Sequence, residues 1–181
     1  MSAIITPDDV ITFWLAAGER RWFFKDTAFD GVLAVRFREH VEIARRGDYD
    51  TWTQTARGAL STIILLDQMS RNIYRGSPLA FAGDAKALDA AKSAVGRGFH
   101  WQLPASQALW LFMPFEHSEN IDDQERAIAL FTAMGSELTP YAVMHRDIIA
   151  KFGRFPHRNP VLGRLSTPAE LAFLAAGGFA G

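Results

Sequence analysis

The stretch ARGALSTIILLDQMSR, Ala56 to Arg71, decides the fold of this chain. Its apolar residues recur at intervals of three and four, so Leu60, Ile63 and Ile64 share one face of a helix. Asp67 continues the same face. The pattern predicts a long helix that ends near Arg71, and we expect this helix to be the central one.

Helix starts are marked in other parts of the chain by threonine followed by proline. Thr6-Pro7, Thr139-Pro140 and Thr167-Pro168 each place a capping hydroxyl before a residue suited to the first helical turn. Asp9 and Glu170 complete two capping boxes. Together with apolar periodicity, these signals predict helices at about residues 7–17, 27–46, 84–95, 104–113, 122–136, 140–152 and 168–176, and the long helix capped at Asp48 or Asp50.

The order of these segments predicts the fold class. No run alternates apolar and polar residues over enough length to require a sheet. Successive helices joined by short turns predict an all-α fold of antiparallel helical hairpins, arranged as a helical bundle. Without a fixed-period repeat or a linker, we expect a single all-helical domain over residues 1–181. The glycine-rich end, GGFAG, is expected to fray.

Composition and charge limit the classes of function. The chain has 181 residues, of which 49% are hydrophobic, so it can bury a sizeable core. Nineteen Lys and Arg stand against twenty Asp and Glu, and the net charge of −1 predicts no general attraction to nucleic acid or to an anionic membrane. The absence of cysteine excludes disulfides and thiolate metal sites.

The hydropathy pattern predicts a location. The N-terminal sequence MSAIITPDDV lacks the basic segment and apolar run of a signal peptide. Residues 98–115 contain no Asp, Glu, Lys or Arg, but two glutamines and two prolines interrupt them, so we interpret this stretch as buried core. We therefore expect a soluble, cytoplasmic protein.

Asp67 and Arg71 form the first polar pair. A carboxylate on a core-facing stripe needs a partner, and Arg71 lies four residues on, the spacing favoured for an ion pair within a helix. One interpretation is an internal clamp that fixes helix packing. The other includes both residues in a ligand-binding site and directs the guanidinium into a cleft.

Candidate acid–base residues lie on two segments. His145 has apolar residues four positions before it and three, four and seven after it, which indicates a shielded side chain. The segment MPFEHSEN, residues 113–120, adds His117 and Glu119 where the uncharged stretch ends. We take His117 and His145 as candidate general acids or bases, and Glu119 as the carboxylate that orients them. The alternative for His145 is a satisfied core histidine.

Two other chemistries receive less support. Ser118 has a histidine and a carboxylate nearby in sequence, but the Gly-x-Ser-x-Gly elbow of the hydrolases is absent. His117, His145 and His157 could meet a carboxylate at a metal, yet no HExxH or ExxH pattern aligns ligands on one helical face. No metal site is predicted, and the sequence indicates no particular cofactor.

The segment FGRFPHRNPVLGR, Phe152 to Arg164, is the most unusual loop. It carries two glycines, two prolines, His157 and three arginines, and it contains no acid. Guanidinium groups on a stiff loop suit bidentate binding of a phosphate or carboxylate, so Arg154, Arg158, Arg164 and His157 are predicted to bind an anionic ligand. The alternative is that salt bridges to acids in other segments engage these arginines.

Three blocks, LLDQMSRNIYRG, FMPFEHSENIDDQERAIALF and HRDIIAKFGRFPHRNPVLGRLSTPAELAFL, carry a resemblance that extends over nearly the whole chain. They resemble an uncharacterised, mainly bacterial family called domain of unknown function nine-two-four. The resemblance implies an all-helical, tetratricopeptide-like fold and no established activity. The polar residues that it singles out are Asp67, Gln68, Arg71, Asn72, His117, Ser118, Glu119, Gln124, His145, Arg154, His157, Arg158, Asn159 and Arg164, together with Gly163.

Two classes of function fit these residues. The first is an enzyme or binding protein for a small anionic molecule, which the arginine loop holds beside the histidines. The second is a tetratricopeptide-like scaffold that binds a peptide or protein in a groove and uses the polar motifs as internal clamps. Neither class has nucleic acid or a membrane as its partner. Convergence of the polar residues favours the first class, and their pairing within the interior favours the second.

Overall fold

The computed structural model describes residues 5–179 and contains, in that range, helices, turns and loops but no strands. The all-α prediction is confirmed. The α-helices are α1 Pro7–Ala17, α2 Glu19–Phe23, α3 Thr27–Arg46, α4 Ala56–Ile63, α5 Ser70–Ile73, α6 Asp84–Gly96, α7 Ala105–Ala108, α8 Met113–Glu116, α9 Ile121–Ala133, α10 Thr139–Phe152 and α11 Pro168–Ala175.

Shorter helical turns connect several of these helices. A π-helical segment, Ile64–Met69, joins α4 to α5. Turns of 3-10 helix lie at Asp50–Gln54, Pro78–Phe81, Phe99–Gln102, Leu109–Leu111 and Pro156–Arg158. Among the helices of residues 5–179, none combines the length and the apolar character needed to cross a bilayer.

The chain forms two compact units. The first consists of Met1–Arg75 and Leu79–Pro114, and the second consists of Phe115–Gly181 with the short stretch Gly76–Pro78. The single domain over residues 1–181 stays a prediction.

In the first unit, α4 and the π-helical segment form the interior. Leu60, Ile63 and Ile64 are fully buried, and these helical turns pack against α1, α3 and α6, as expected of a central helix. The predicted start at Asp48 or Asp50 is wrong. Those residues belong to a separate turn, and the side chain of Thr55 caps α4 by accepting a hydrogen bond from the backbone N–H of Gly58 at 3.1 Å.

The break before α4 has a steric cause. Gly58 approaches the preceding 3-10 turn so closely that a Cβ atom there would lie 2.0 Å from the carbonyl oxygen of Trp52. A glycine at this position therefore lets the turn fold against the first turn of α4.

Two of the three threonine caps are confirmed. Thr6 and Thr167 form complete capping boxes with Asp9 and Glu170. Thr139 is not a cap, because its hydroxyl donates to the carbonyl of Ser136 at 2.8 Å while α10 begins after Leu138.

The helix predicted over residues 104–113 is interrupted. It consists of α7, the turn Leu109–Leu111 and the start of α8. Pro114 supplies a physical reason, since its ring would clash with the carbonyl of Trp110 in a continuous helix.

The second unit is built on α9 and α10, which pack along each other. After α10 ends at Gly153, whose φ of 68° lies in the left-handed region, the loop passes through Pro156–Arg158 to α11. An apolar cluster of Ile148, Ile149 and Phe155 receives Phe179 from the C-terminal segment. Fraying of GGFAG is therefore not observed up to residue 179, and residues 180–181 lie outside the described part.

Candidate functional site

Asp67 and Arg71, in the first unit, form an ion pair at 2.9 Å, as their spacing predicts. The Asp67 side chain is fully buried, and Gln68 also donates to it at 2.6 Å. Arg71 has a second partner that sequence spacing did not identify, because its two terminal nitrogens each lie 3.0 Å from an oxygen of Asp84 at the start of α6. Burial disfavours the charge on Arg71, but the two carboxylates outweigh this effect and raise its pKa.

The π-helical segment supplies backbone carbonyl groups that the side chains around this clamp contact. Arg71 donates to the backbone carbonyl of Asp67 at 2.7 Å, and Ser70 donates to that of Leu65 at 3.3 Å, so side chains hydrogen-bond to carbonyl groups of the segment. The chain before α6 lies directly against it, since a Cβ on Gly83 would be 2.6 Å from the carbonyl oxygen of Leu66. The role of Asp67 and Arg71 in ligand binding stays a prediction.

In the second unit, His145 of α10 meets Glu116, the last residue of α8. His145 Nδ1 lies 2.9 Å from Glu116 Oε1, and both side chains are more than nine-tenths buried. The same nitrogen lies 2.8 Å from the backbone carbonyl oxygen of Tyr141, one turn earlier in α10. Glu119, the predicted orienting carboxylate, lies three residues after Glu116, and it is Glu116 that contacts His145.

The partners of His145 define its tautomer. A backbone carbonyl can only accept a hydrogen bond, so Nδ1 carries the proton and shares it with Glu116. In the neutral ring, Nε2 then carries the lone pair. A carboxyl group and a carbonyl on one ring nitrogen, with the basic nitrogen opposite, form the arrangement by which histidine acts as a general base.

Gln124 of α9 holds the end of α8 in place. Its fully buried amide donates to the backbone carbonyls of Glu116 at 2.7 Å and Ser118 at 2.6 Å. Sequence analysis included Gln124 only through the family resemblance and missed Glu116 as the partner of His145. One signal could have identified Glu116, because it is the first charged residue after the uncharged stretch 98–115.

Glu119 binds the loop that follows α10. Its carboxylate accepts hydrogen bonds from both terminal nitrogens of Arg164, at 2.7 and 3.0 Å. It also accepts one from the backbone N–H of Phe155, at 2.8 Å. Although burial alone would raise the pKa of Glu119, the hydrogen bonds from Arg164 and Phe155 hold it below the ordinary 4.5. Arg164 also donates to the carbonyl of Phe155, so the pair fixes the loop against the segment after α8.

Arg154 is engaged in a similar way. It forms a bidentate pair with Glu170 at 2.6 and 2.8 Å and donates to the carbonyl of Leu165. The bonds from Arg154 and from the backbone N–H of Thr167 hold the pKa of Glu170 well below its usual range. Arg154 and Arg164 therefore both bind carboxylates within the unit.

The third arginine, Arg158, lies over an aromatic ring. Its guanidinium carbon is 4.4 Å from the centroid of Phe155, and the residue is buried. Its neighbour His157 is partly buried. Burial of the imidazole, with the nearby Arg158 and His145, lowers the pKa of His157 from 6.5 to about 3, so the ring is neutral at physiological pH. The Nδ1 atom of His157 is buried and has no hydrogen-bond partner among residues 5–179.

The remaining candidates are placed as follows. His117 is partly buried and is one of the groups whose proximity lowers the pKa of His157. The hydroxyl of Ser118 donates to Asp123 at 2.8 Å and accepts from the backbone N–H of Asn120, so it binds a carboxylate and not a histidine. Within residues 5–179, no three His, Asp or Glu side chains are arranged to hold a metal ion.

The second unit thus brings most of the predicted site residues into one neighbourhood. The candidates around Phe155 are His145, His157, Arg158, Glu119 and Arg164. Asp67 and Arg71 belong to the first unit and have their own partners there.

Comparison with known proteins identifies relatives of unknown function. The profile of the bacterial proteins of unknown function called DUF924 matches residues 10–178. The chain is also similar to a solved structure of a protein of unknown function from Agrobacterium tumefaciens, with 38% sequence identity and a TM-score of 0.90. That similarity covers 94% of this chain and 97% of the other. No curated protein matches the chain at a significant level.

Proposed function

The chain belongs to the DUF924 family, whose function is unknown, and we propose that its second unit carries an acid–base site for a small anionic molecule. His145 is the general base of this proposal, Glu116 orients it, and Arg158 attracts the anionic group. The substrate class is a small phosphate or carboxylate. A cytoplasmic location belongs to the same proposal, and the lack of cysteine is compatible with it.

The Glu116–His145 pair carries the proposal. Buried polar groups are costly unless they are hydrogen-bonded, and a histidine needed only for packing could be replaced by an apolar residue. Here two acceptors converge on Nδ1, at 2.8 and 2.9 Å, which leaves Nε2 as the basic atom. This arrangement supports proton abstraction from a bound molecule.

The surroundings of His145 favour an anionic ligand. Arg158 and both histidines, His145 and His157, lie against the ring of Phe155. Glu119 is next to this group, where it pairs with Arg164 and also interacts with the charge of Arg158. The cation of Arg158 beside two imidazoles makes the neighbourhood suited to a phosphate or a carboxylate.

Anion binding is tested by thermal unfolding in phosphate, acetate and chloride at matched ionic strength. A ligand that binds only the folded chain stabilises it by RT ln(1 + [L]/Kd), so phosphate or acetate at about ten times its Kd should contribute about 1.4 kcal/mol. For a chain of this size, that corresponds to a rise in melting temperature of roughly 3 to 6 °C. Matched ionic strength is needed because screening alone can imitate weak binding.

Arg158→Ala should abolish the anion-specific shift. Lys151→Ala is the matched control, because Lys151 is an exposed cation at the end of α10 and its removal should leave the shift unchanged. Equal shifts in phosphate, acetate and chloride, or a full shift in Arg158→Ala, would refute the anion site.

The base role has its own readout. Proton–nitrogen correlation spectra of the imidazoles distinguish the two neutral tautomers, and we expect the Nδ1-protonated form for His145 at neutral pH. The Nε2-protonated form would exclude the proposed base. Glu116→Gln should keep this tautomer, because its amide oxygen can still accept from Nδ1.

A helical scaffold is the second candidate function. The carboxylate partners of Arg71, Arg154 and Arg164 favour it, since paired charges of this kind stabilise packing without a ligand. In this case the chain would bind a peptide or protein in a groove, as tetratricopeptide-like proteins do. The scaffold is preferred if no anion stabilises the wild type.

A further inference from the structure

The C-terminal segment places an aromatic side chain against both imidazoles of the proposed site. The centroid of the Phe179 ring lies 4.6 Å from that of His145 and 5.1 Å from that of His157. The rings meet at 68° and 85°, so they are in edge-to-face contact. Phe179 is partly buried and is the last residue that the structure describes.

Two glycines carry this side chain to the histidines. Gly177 has a φ of 80°, in the left-handed region, which turns the chain after α11. A Cβ on Gly178 would lie 2.6 Å from the ring and from the carbonyl oxygen of Phe173, so only glycine fits the path. The two glycines therefore direct the chain after α11 so that the side chain of Phe179 reaches the histidines.

The ring of Phe155 forms the wall shared by the cation and the histidines. Arg158 lies on it at 4.4 Å, and the centroids of His145 and His157 lie 5.5 and 5.6 Å from it. Phe179 thus fills a slot lined by His145, His157 and the apolar cluster around Phe155. Arg158 and the ring of Phe179 share the same cluster, because Arg158 contacts Phe155, Phe155 contacts His157, and His157 contacts Phe179.

We infer that the phenyl ring of Phe179 occupies the place of the ligand's own ring, and that the site takes a small molecule in which a planar aromatic ring carries an anionic group. The inference rests on the proposed function for its anionic part. An aromatic ring in the slot keeps the edge-to-face contacts with the imidazoles, and its acid group gains a charge-assisted hydrogen bond from Arg158. The C-terminal segment has to leave before such a ligand binds.

The test uses 3-phenylpropionate as the probe, titrated into the full chain and into Phe179→Ala, with the imidazole NMR signals of His145 and His157 as the readout. We expect Phe179→Ala to bind the probe at least about tenfold more tightly than the wild type, because its slot is empty and apolar cavities bind aromatic molecules. Phe179→Leu refills the slot and should bind like the wild type. Phe24→Ala is the matched control, since Phe24 is an exposed phenylalanine of the first unit.

Two fragments of the probe separate the parts of the inference. Benzyl alcohol keeps the ring and lacks the charge, and we expect it to bind Phe179→Ala about tenfold more weakly than 3-phenylpropionate. Propionate keeps the charge and lacks the ring, so it should gain nothing from the substitution. Equal affinity for benzyl alcohol and 3-phenylpropionate would overturn the anionic part together with the proposed function. Phosphate binding without any aromatic binding would overturn the slot alone.

The wild type supplies an independent measurement. At a saturating concentration of 3-phenylpropionate, nuclear Overhauser contacts between the ring of Phe179 and the two imidazoles should disappear. If they persist while the probe is bound, Phe179 is a structural core residue and the inference is wrong. If 3-phenylpropionate binds neither the wild type nor Phe179→Ala, the inference is also wrong.

Discussion

Each unit of the chain contains a buried carboxyl group paired with a nitrogen-containing side chain, Asp67 in the first unit and Glu116 in the second, and the two pairs differ in what their partners can do. Asp67 meets Arg71, a permanent cation that Asp84 also binds. Glu116 meets His145, whose neutral imidazole carries a proton on one nitrogen and a lone pair on the other. The first pair has a fixed charge and suits a clamp, whereas the second suits proton transfer.

The difference shows that burial of a carboxyl group does not by itself indicate a site. Two other properties are more informative about a possible site: the type of side chain that pairs with the carboxyl group, and which of its nitrogen atoms that pairing uses. Arg71 uses both terminal nitrogens on Asp84. His145 binds both acceptors through Nδ1, so its second nitrogen remains the basic atom.

The largest expected effect is on the clamp. Asp67→Ala should lower the free energy of unfolding by about 3 kcal/mol, because it leaves the mostly buried guanidinium of Arg71 with one carboxylate instead of two. The low end of the usual range applies since Asp84 remains. Urea unfolding measures the loss. Asp8→Ala is the control, because the ion pair of Asp8 with Arg57 is exposed and should contribute less than about 1 kcal/mol. Equal losses in the two variants would place the Asp67 pair among weak surface contacts.

The second effect concerns pH and is smaller than the first for each unit of pH. The folded-state pKa of His157 is about 3 and its ordinary value is 6.5, so between these values the unfolded chain binds a proton that the folded chain does not. The free energy of unfolding therefore rises with pH in this window, by up to about 1.4 kcal/mol per unit, and the contribution is complete above 6.5.

The variant His157→Gln should lose this part of the pH slope. Urea unfolding of both proteins at several values between pH 4 and 7 provides the comparison. If the wild type and His157→Gln show the same dependence of unfolding free energy on pH, His157 has the same pKa in the folded and unfolded chains. Folding would then not keep this histidine neutral.

The smallest expected effect is on the proposed base. Glu116→Gln should cost less than about 1 kcal/mol of unfolding free energy, because the amide oxygen still accepts from Nδ1 of His145. Asp67→Asn should cost more, since Arg71 loses half of its compensating charge. Both are isosteric changes, and urea unfolding compares them directly. If Glu116→Gln loses more unfolding free energy than Asp67→Asn, the charge of Glu116 stabilises the fold in the way proposed for Asp67.

Sequence predicted helices best where both ends carry local signals. α3 was predicted over Thr27–Arg46 and has these bounds, with Asp26 capping its start and Gly47 ending it at a φ of 100°. The π-helical segment was not predicted, because its apolar residues fit an ordinary α-helical period. The start of α4 was missed since a close approach of Gly58 to another turn decides it.

The candidate site was predictable only in part. Asp67 and Arg71 are four residues apart on one helix, so local geometry gives their pairing. Glu116 is the last residue of α8, and Glu119 follows three residues later. The direction in which each side chain points therefore depends on where that helix ends. The prediction ended the preceding helix at residue 113 and chose Glu119 as the orienting carboxylate, whereas Glu116 lies beside His145. Phe179 was missed because a glycine-rich end gives no sign of the core that receives it.

The π-helical segment has a consequence for insertions and deletions. A π-turn closes between residues i and i+5, so Ile64–Met69 holds one residue more than an α-helical turn would. Deleting one residue from it would let the turn close as an ordinary α-helical turn while the helix beyond keeps its register, so we expect Arg71 still to meet Asp84. The loss of one codon within this segment should therefore be tolerated better than the same loss within α3, where the residues beyond the deletion would turn by about 100°.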